Sequence, residues 1–485
     1  MAPEYTWPRA EVGQVVKRYR NNDVHILQFA YKFVLVGVPR LLVPPTVPDH
    51  ASIEHYPSFS SFSIEPAFWI EFAGSLDKPN ELFLKLIGQL TNRGAELIIR
   101  PGGIAMDSLI FDPEGGDLVR HHGAKGRDLP LDIARDLAVA SVKYQNDKIS
   151  YFEVGNEPNH YPESRWNYEA AKYVAQWKNW TAEIDEAIGY DPQQWWASSA
   201  TTDETKLNVR PVDIIPLGVD DGDQVGQSPP FADDQVKPSA QAALAHGKPW
   251  VMGEFSSVAC SGKPNVTDMF TNSLWIIDTQ LTYAVLNASS VNLHQGGTLV
   301  LQSGSQTNTP GFSFYSFVYP RDSEKWGPAR AQPGYGGLLF LSEVFSIPKT
   351  RILPLEVPEG VDPDRFSAYA AYHEDKLSKL VLINMQPYYG NSTEDSSVNV
   401  KIPFGGPSKH SRPHLKRLTA PTIDEKDSGN VLWAGQSFRH GDAEGEVKIE
   451  EIPRNGVVTL RGSKAVLVFF DKDTVYGLQY SDGPL

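Results

Sequence analysis

Hydrophobic positions along this chain follow two rhythms, and the change between them falls near residue 347. From Phe59 to that point, short β-branched and aromatic runs alternate with longer stretches whose apolar positions recur at helical spacing. Ser61–Glu65 (SFSIE) alternates like a strand. Leu82, Phe83, Leu86, Ile87 and Leu90 then mark a helix that begins at Asn80 and is closed by Gly94. Glu96–Arg100 reads as the next strand, Asp132–Gln145 as a second amphipathic helix, and Ile149–Val154 as a short buried strand. The same reading predicts helices over 168–188, 239–246, 269–286 and 335–345. It predicts strands over 194–198, 249–253 and 290–294, and a weak one over 212–219. Strand and helix in alternation are the sequence sign of βα units. Past Ile347 the helical spacing stops. Short runs at 366–372, 379–385, 398–402, 415–418, 447–452 and 457–470 sit between Gly, Pro, Asn and Asp clusters, the pattern of an all-β sandwich.

The fold class expected is therefore α/β: a (β/α)8 TIM-type barrel over 59–347, irregular in places, followed by an all-β sandwich over 348–485. Residues 1–58, marked by Pro44, Pro45, Pro48 and Pro57, form an irregular N-terminal segment and a candidate extra strand for the sandwich. Two barrel stretches are short. Between Asp107 and Asp132 no third strand is evident, and between Ser199 and Ser239 only 212–219 can serve as a sixth.

Within this frame the stretch Tyr151–Tyr161, YFEVGNEPNHY, stands out. Gly155 ends the strand, Asn156 and Glu157 follow where it opens into a loop, and Pro158 blocks continuation because it lacks an N–H and fixes φ. A carboxylate and an amide are thus held side by side at the carboxyl end of a strand, the face of a parallel barrel that carries catalysis. Taken alone, the pair also reads as a turn in which Asn and Glu satisfy backbone N–H groups. A second carboxylate in matching context changes the balance. WVMGEFSS delivers Glu254 at the end of another strand, and three βα steps of roughly 30 residues fill the interval between the two. A pair across one barrel mouth is what a retaining glycosidase needs, with carboxyl groups about 5–5.5 Å apart. The competing reading is two carboxylates capping helix N-termini.

Other features add less. The Pro-Gly-Gly turn of PGGIAMD brings backbone close and aims Asp107 over the strand ends, without a phosphate-binding glycine pattern. His121-His122 lacks metal-ligand spacing and reads as a solvated turn, so no metal site is expected; His294, ending a strand, is a candidate pocket wall. Tyr335 is open to two readings, a hydroxyl presented to substrate or an aromatic packed at a helix start.

Composition narrows the partners. The 485 residues carry 44 Lys and Arg against 59 Asp and Glu, a net charge of −15, which disfavours nucleic acid and acidic membrane surfaces. That balance still permits an anionic sugar. Cys260 is the lone cysteine, so no intrachain disulfide forms. Asn179, Asn265, Asn287 and Asn391 begin N-x-[ST] sequons. No 18-residue uncharged apolar run predicts a membrane span, and MAPEYTWPRAEVG does not read as a signal peptide.

SFSIEPAFWIEFAG, IIRPGGIAMD, YFEVGNEPNHY, GEFSSVACSGKPNVTD and LKRLTAPTIDEKDSGNVLWAGQSF together resemble glycoside hydrolase family 79, the β-glucuronidase and heparanase-like family, in its fungal branch. The resemblance covers roughly residues 59 to 470, with WAGQSF the more specific marker and Asn-Glu-Pro shared with other retaining families. It implies a retaining hydrolase cleaving terminal β-linked glucuronic acid, with Glu157 as acid/base, Glu254 as nucleophile and Asn156 bonded to the sugar 2-OH. It implies that Glu65 and Asp107 line the sugar pocket, that Arg100 steadies a carboxylate, and that no cofactor is used. Secretion is expected from the same resemblance. The family usually carries an aromatic near the end of strand six, and none follows 212–219. Action on a neutral β-glycoside, or a non-catalytic carbohydrate-binding member, are the alternative expectations.

Overall fold

The computed structural model describes residues 38–103, 106, 109–110, 120–121, 131–145, 148–158, 163–167, 169–189, 195–201, 219–225, 236–258, 261–297, 312–324, 326–390, 396–402 and 412–471. All of them belong to the compact unit Val38–Leu485.

Seven strands form one parallel sheet: β1 (Ser60–Ile64), β2 (Ile99–Pro101), β3 (Phe152–Glu153), β4 (Trp195–Thr201), β5 (Val219–Val225), β6 (Trp250–Ser256) and β7 (Ala288–Gln295). Their order is β2-β1-β7-β6-β5-β4-β3, so β2 and β3 are the two ends. Among the described residues no strand pairs with the open edge of either. Of the weak strand expected at 212–219, residues 212–218 lie outside the described residues. The strand beside β6 is Val219–Val225, VDDGDQV, in register with β6 at Asp223 and Glu254. Its polar composition carries none of the apolar signal on which strand prediction depends. The hairpin of Leu109–Ile110 with Arg120–His121 is antiparallel and separate from this sheet.

The helices follow from local chemistry. Helix α1 (Glu81–Thr91) starts at Asn80, whose side chain accepts the Phe83 N–H. Its buried face is Phe83, Leu86 and Leu90, one stripe of the helix. Helices α2 (Leu131–Gln145) and α3 (Ala170–Ile188) pack with Trp166, Trp177 and Trp195 in an aromatic cluster beside β3 and β4. After α4 (Lys237–Ala245), α5 (Phe270–Val285) is buried nearly all round, because it lies between the parallel sheet and the β domain. None of the described helices is long and apolar enough to cross a membrane.

Past α6 (Tyr335–Val344) the chain becomes antiparallel. Strands β8 (Arg351–Pro354), β9 (Phe366–His373), β10 (Lys376–Asn384), β11 (Val398–Lys401), β12 (His414–Thr419), β13 (Leu432–Trp433), β14 (Val457–Leu460) and β15 (Lys464–Phe469) follow. One sheet runs β8-β9-β10-β15-β12-β13, and β11 pairs with β14 in a second. The two-residue period divides β9 between two cores. Tyr369 and Ala371 join the cluster shared with the α/β part, while Ala368, Ala370 and Tyr372 face β11 and β14. Leu41 belongs to the second cluster, and Arg40 and Thr46 bridge to Lys401 and Lys376.

The junction between the two parts is sealed by a buried charge cluster. Glu343 on α6 accepts from Lys416 Nζ at 2.7 Å and Trp433 Nε1 at 2.8 Å. Lys379 Nζ donates to the Val344 carbonyl and to Ser346 Oγ, capping the end of α6. Burial pushes the Lys379 ammonium down to about 7.

Candidate active site

Four strands converge on one carboxylate. Register places Ser63 on β1 opposite both Arg100 on β2 and His294 on β7, so three adjacent strands carry polar side chains at one level. Arg100 Nη1 donates to Ser63 Oγ at 3.0 Å and to Glu254 Oε2 at 3.0 Å. On its other side, Nε and Nη2 donate to Glu153 Oε2 at 2.8 Å and Oε1 at 3.0 Å, a bidentate fork. The second oxygen of Glu254, Oε1, lies 3.2 Å from His294 Nδ1. Both oxygens of Glu254 are therefore held, one by a permanent cation and one by an imidazole.

Arg100 is 6 % exposed at its side chain and Glu254 18 %, so the pair acts with little screening, while Glu254 keeps access to solvent. Burial lowers the His294 imidazole below its ordinary value, with Arg100 adding to the effect and Glu254 opposing it. The same Nδ1 also lies 3.4 Å from Ser63 Oγ, so it stands between that hydroxyl and the carboxylate. His294 is thus a direct partner of Glu254 as well as a wall.

The PGGI turn is required by what it passes over. A Cβ on Gly102 would meet Arg100 Cζ at 2.5 Å, and one on Gly103, at φ +136°, would meet Glu65 Oε2 at 2.5 Å. Glu65 is 2 % exposed at the end of β1, with its N–H on the Gln295 carbonyl.

Glu157 lies in the loop that leaves β3, after Gly155 at φ +80°. Its own φ is +43°, a left-handed backbone that costs a non-glycine residue on the order of 1 kcal/mol. Pro158 and Asn156, the latter 2 % exposed, flank it as buried neighbours. Behind this loop, a small apolar pocket is lined by Gly155, Pro158, Trp166, Tyr173 and Trp177. It belongs to the aromatic packing of α3 and is separate from the carboxylates.

Most residues named from sequence are placed by the structure. Arg100, Glu254 and His294 come into contact, and Glu65 sits under the same turn. Glu254 lies inside β6, which runs on to Ser256, rather than just beyond a strand ending at Gly253. Tyr335 is corrected: its ring is 2 % exposed in the core and its hydroxyl donates to the Leu86 carbonyl at 2.7 Å, so it is a packing residue on α6. Asp107 and His122 lie outside the described residues, as does Cys260. Among the described residues no group of three His, Cys, Asp or Glu could hold a metal ion.

Two contributors escaped the sequence reading. Glu153 sits inside a strand otherwise read as apolar, yet it is two and four residues ahead of Gly155 and Glu157, in strand phase with both. Tyr315, 5 % exposed with its ring 6.2 Å from His294, comes from a loop without any such signal.

Residues 368–467 match the glycosyl hydrolase family 79 C-terminal beta domain. The chain is 24 % identical to a beta-glucuronidase of Aspergillus niger, over 86 % of this chain and 90 % of that protein. The C-terminal part of this chain thus carries the family 79 beta domain. A beta-glucuronidase of Neurospora crassa is 22 % identical over 75 % of this chain and 78 % of its own length. Among solved structures, a 4-O-alpha-L-rhamnosyl-beta-D-glucuronidase from Fusarium oxysporum, in its Rha-GlcA complex, superposes with a TM-score of 0.70 at 19 % identity. That match covers 89 % of this chain and 100 % of the other, and it supports a fold in which a parallel α/β part precedes a C-terminal β domain.

Proposed function

We propose that this chain is a family 79 retaining glycoside hydrolase that releases β-linked glucuronic acid. The observation that carries the mechanism is the grip on Glu254, where Arg100 holds Oε2 and neutral His294 faces Oε1. A carboxylate fixed in this way by a permanent cation is aimed, as a nucleophile must be. The substrate class rests on the beta-glucuronidases of Aspergillus niger and Neurospora crassa, similar over most of their length.

In the first step a Glu254 oxygen attacks the anomeric carbon while the protonated carboxyl of Glu157 gives its proton to the departing glycosidic oxygen. The aglycone leaves as an alcohol and the sugar stays as an ester on Glu254. Glu157, now a carboxylate, takes a proton from water, whose oxygen attacks the same carbon and frees Glu254. Asn156 would bond the sugar 2-OH, and Glu65 and Asp107 would line the pocket. Both steps balance without a cofactor.

The same reading includes a closed (β/α)8 barrel. Arg100 and Glu153 come from β2 and β3, the two ends of the strand order, and they meet at 2.8 Å. A sheet whose ends share a salt bridge curves round on itself, leaving room for one more strand between them. Secretion is part of the proposal too, supported by sequon residues Asn179 and Asn265 on the surface.

Hydrolysis of a fluorogenic β-glucuronide from pH 3 to 7 tests the activity, beside a panel of neutral β-glycosides. Turnover of the glucuronide above the panel supports the reading. Preference for a neutral sugar overturns the substrate, and binding without turnover overturns the catalysis.

A further inference from the structure

Glu153 is a carboxylate that the double displacement does not use, yet it makes two charge-assisted hydrogen bonds to the side chain that holds the nucleophile. We propose that Glu153 is a positioning residue, which shares the charge of Arg100 and so keeps Glu254 nucleophilic. This rests on the reading of Glu254 given above.

Arg100 lies between two carboxylates. Glu153 takes Nε and Nη2 at 2.8 and 3.0 Å, and Nη1 reaches Glu254 and Ser63. A guanidinium is planar and does not deprotonate, so fixing one edge fixes the direction of the other. One cation answering two anions stabilises each less than it would stabilise either alone. Glu254 is thereby held in place without being fully neutralised, and an under-neutralised carboxylate is the better nucleophile.

The side chains involved have little freedom to rearrange toward water. Arg100 is 6 % exposed and Glu153 14 %. Among the described residues, the charged or titratable groups seen to face Glu254 are Arg100 from β2, His294 from β7 and, through Arg100, Glu153 from β3; on β5, Asp223 occupies the paired register position. Glu153 is the member whose effect must pass through another residue, since its oxygens are engaged by the guanidinium.

The test is Glu153→Gln, read by its pH profile and its crystal structure. The amide removes a charge and one acceptor, and the buried arginine keeps Glu254 as an anionic partner among the described residues. The expected result is a kcat lower by about tenfold or more with KM little changed, because ground-state binding is untouched. The acidic limb of kcat/KM moves toward lower pH by roughly half a unit to one unit. In the crystal, Arg100 turns to give Glu254 a second N–H. Glu153→Asp keeps the charge and returns the acidic limb to its original place, and this variant also serves if the amide fails to fold. An unmoved acidic limb and an unmoved guanidinium in Glu153→Gln overturn the proposal, as does an Asp variant whose limb moves as far as the Gln variant's. If the wild type hydrolyses no glycoside, the proposed activity fails by itself, and the position of Arg100 in the variant crystal still decides the role of Glu153.

Discussion

Arg100 Nη1 lies 3.0 Å from Glu254 Oε2, although these residues come from strands separated by two others in the sheet order. Such a contact spans the interior of a curved sheet, and it makes Glu254 the centre of the site. Several consequences can be measured.

Glu254→Gln leaves the shape of the site nearly intact but replaces an anionic nucleophile by a neutral amide. Glycoside turnover should fall by roughly four orders of magnitude or more. Glu157→Gln removes the proton donor, and the loss should be about 10²–10⁴-fold, smallest for aryl leaving groups that depart without protonation. Steady-state rates on an activated aryl glucuronide and on an alkyl glucuronide check both. Equal losses on the two substrates would contradict the acid role of Glu157.

His294 offers a geometric test. Asn at this position can place an N–H close to where Nδ1 stands, whereas Ala offers none. His294→Asn should keep at least about tenfold more kcat than His294→Ala, a difference of about 1.4 kcal/mol in barrier. Equal rates for the two would mean that the polar contact with Glu254 is dispensable.

Gly102→Ala and Gly103→Ala each insert a methyl group where the nearest side-chain atom is 2.5 Å away, Arg100 Cζ for the first and Glu65 Oε2 for the second. Gly103 also has φ +136°, which an L-residue rarely adopts. Both variants should lose activity, and Gly103→Ala should lose about 1–3 kcal/mol of stability as well. Denaturant unfolding beside kcat separates the two effects.

A buried histidine far from the site sets a pH limit on stability. His55 is 1 % exposed, with Nε2 near Ser52 Oγ and the Ala284 carbonyl, and burial pushes it down to about 4. Between about pH 6.5 and 4 the unfolded chain binds this proton and the folded one does not. Its contribution is therefore complete above pH 6.5 and is lost as pH falls to 4, by about 3 kcal/mol in all. Below 4 both states are protonated and the loss stops growing. Urea unfolding from pH 7 to 4 measures the slope, and His55→Gln should flatten it.

Several residues that the fold brings together were singled out in one dimension. Glu157 and Glu254 were visible because a carboxylate directly after a short apolar run is unusual, and Gly155 and Pro158 mark where the strand must end. Arg100 was visible as a cation beside a Pro-Gly-Gly turn, but which carboxylate it meets was not. The strand at 219–225 was missed because acidic residues fill it, and Tyr335 was open because a helix-start tyrosine looks the same from either side.

By itself, the sequence determined the alternation of βα units, the change to two-residue periodicity after residue 347, and the two carboxylate contexts. Each of these depends on neighbours along the chain, through backbone sterics and the periods of helix and strand. Only the tertiary structure decided that Glu153 and Glu254 share one guanidinium, that His294 faces Glu254, and that Tyr335 faces the core. Those outcomes depend on strand order and register across the sheet, which are set by how the whole core packs and have no counterpart in local spacing.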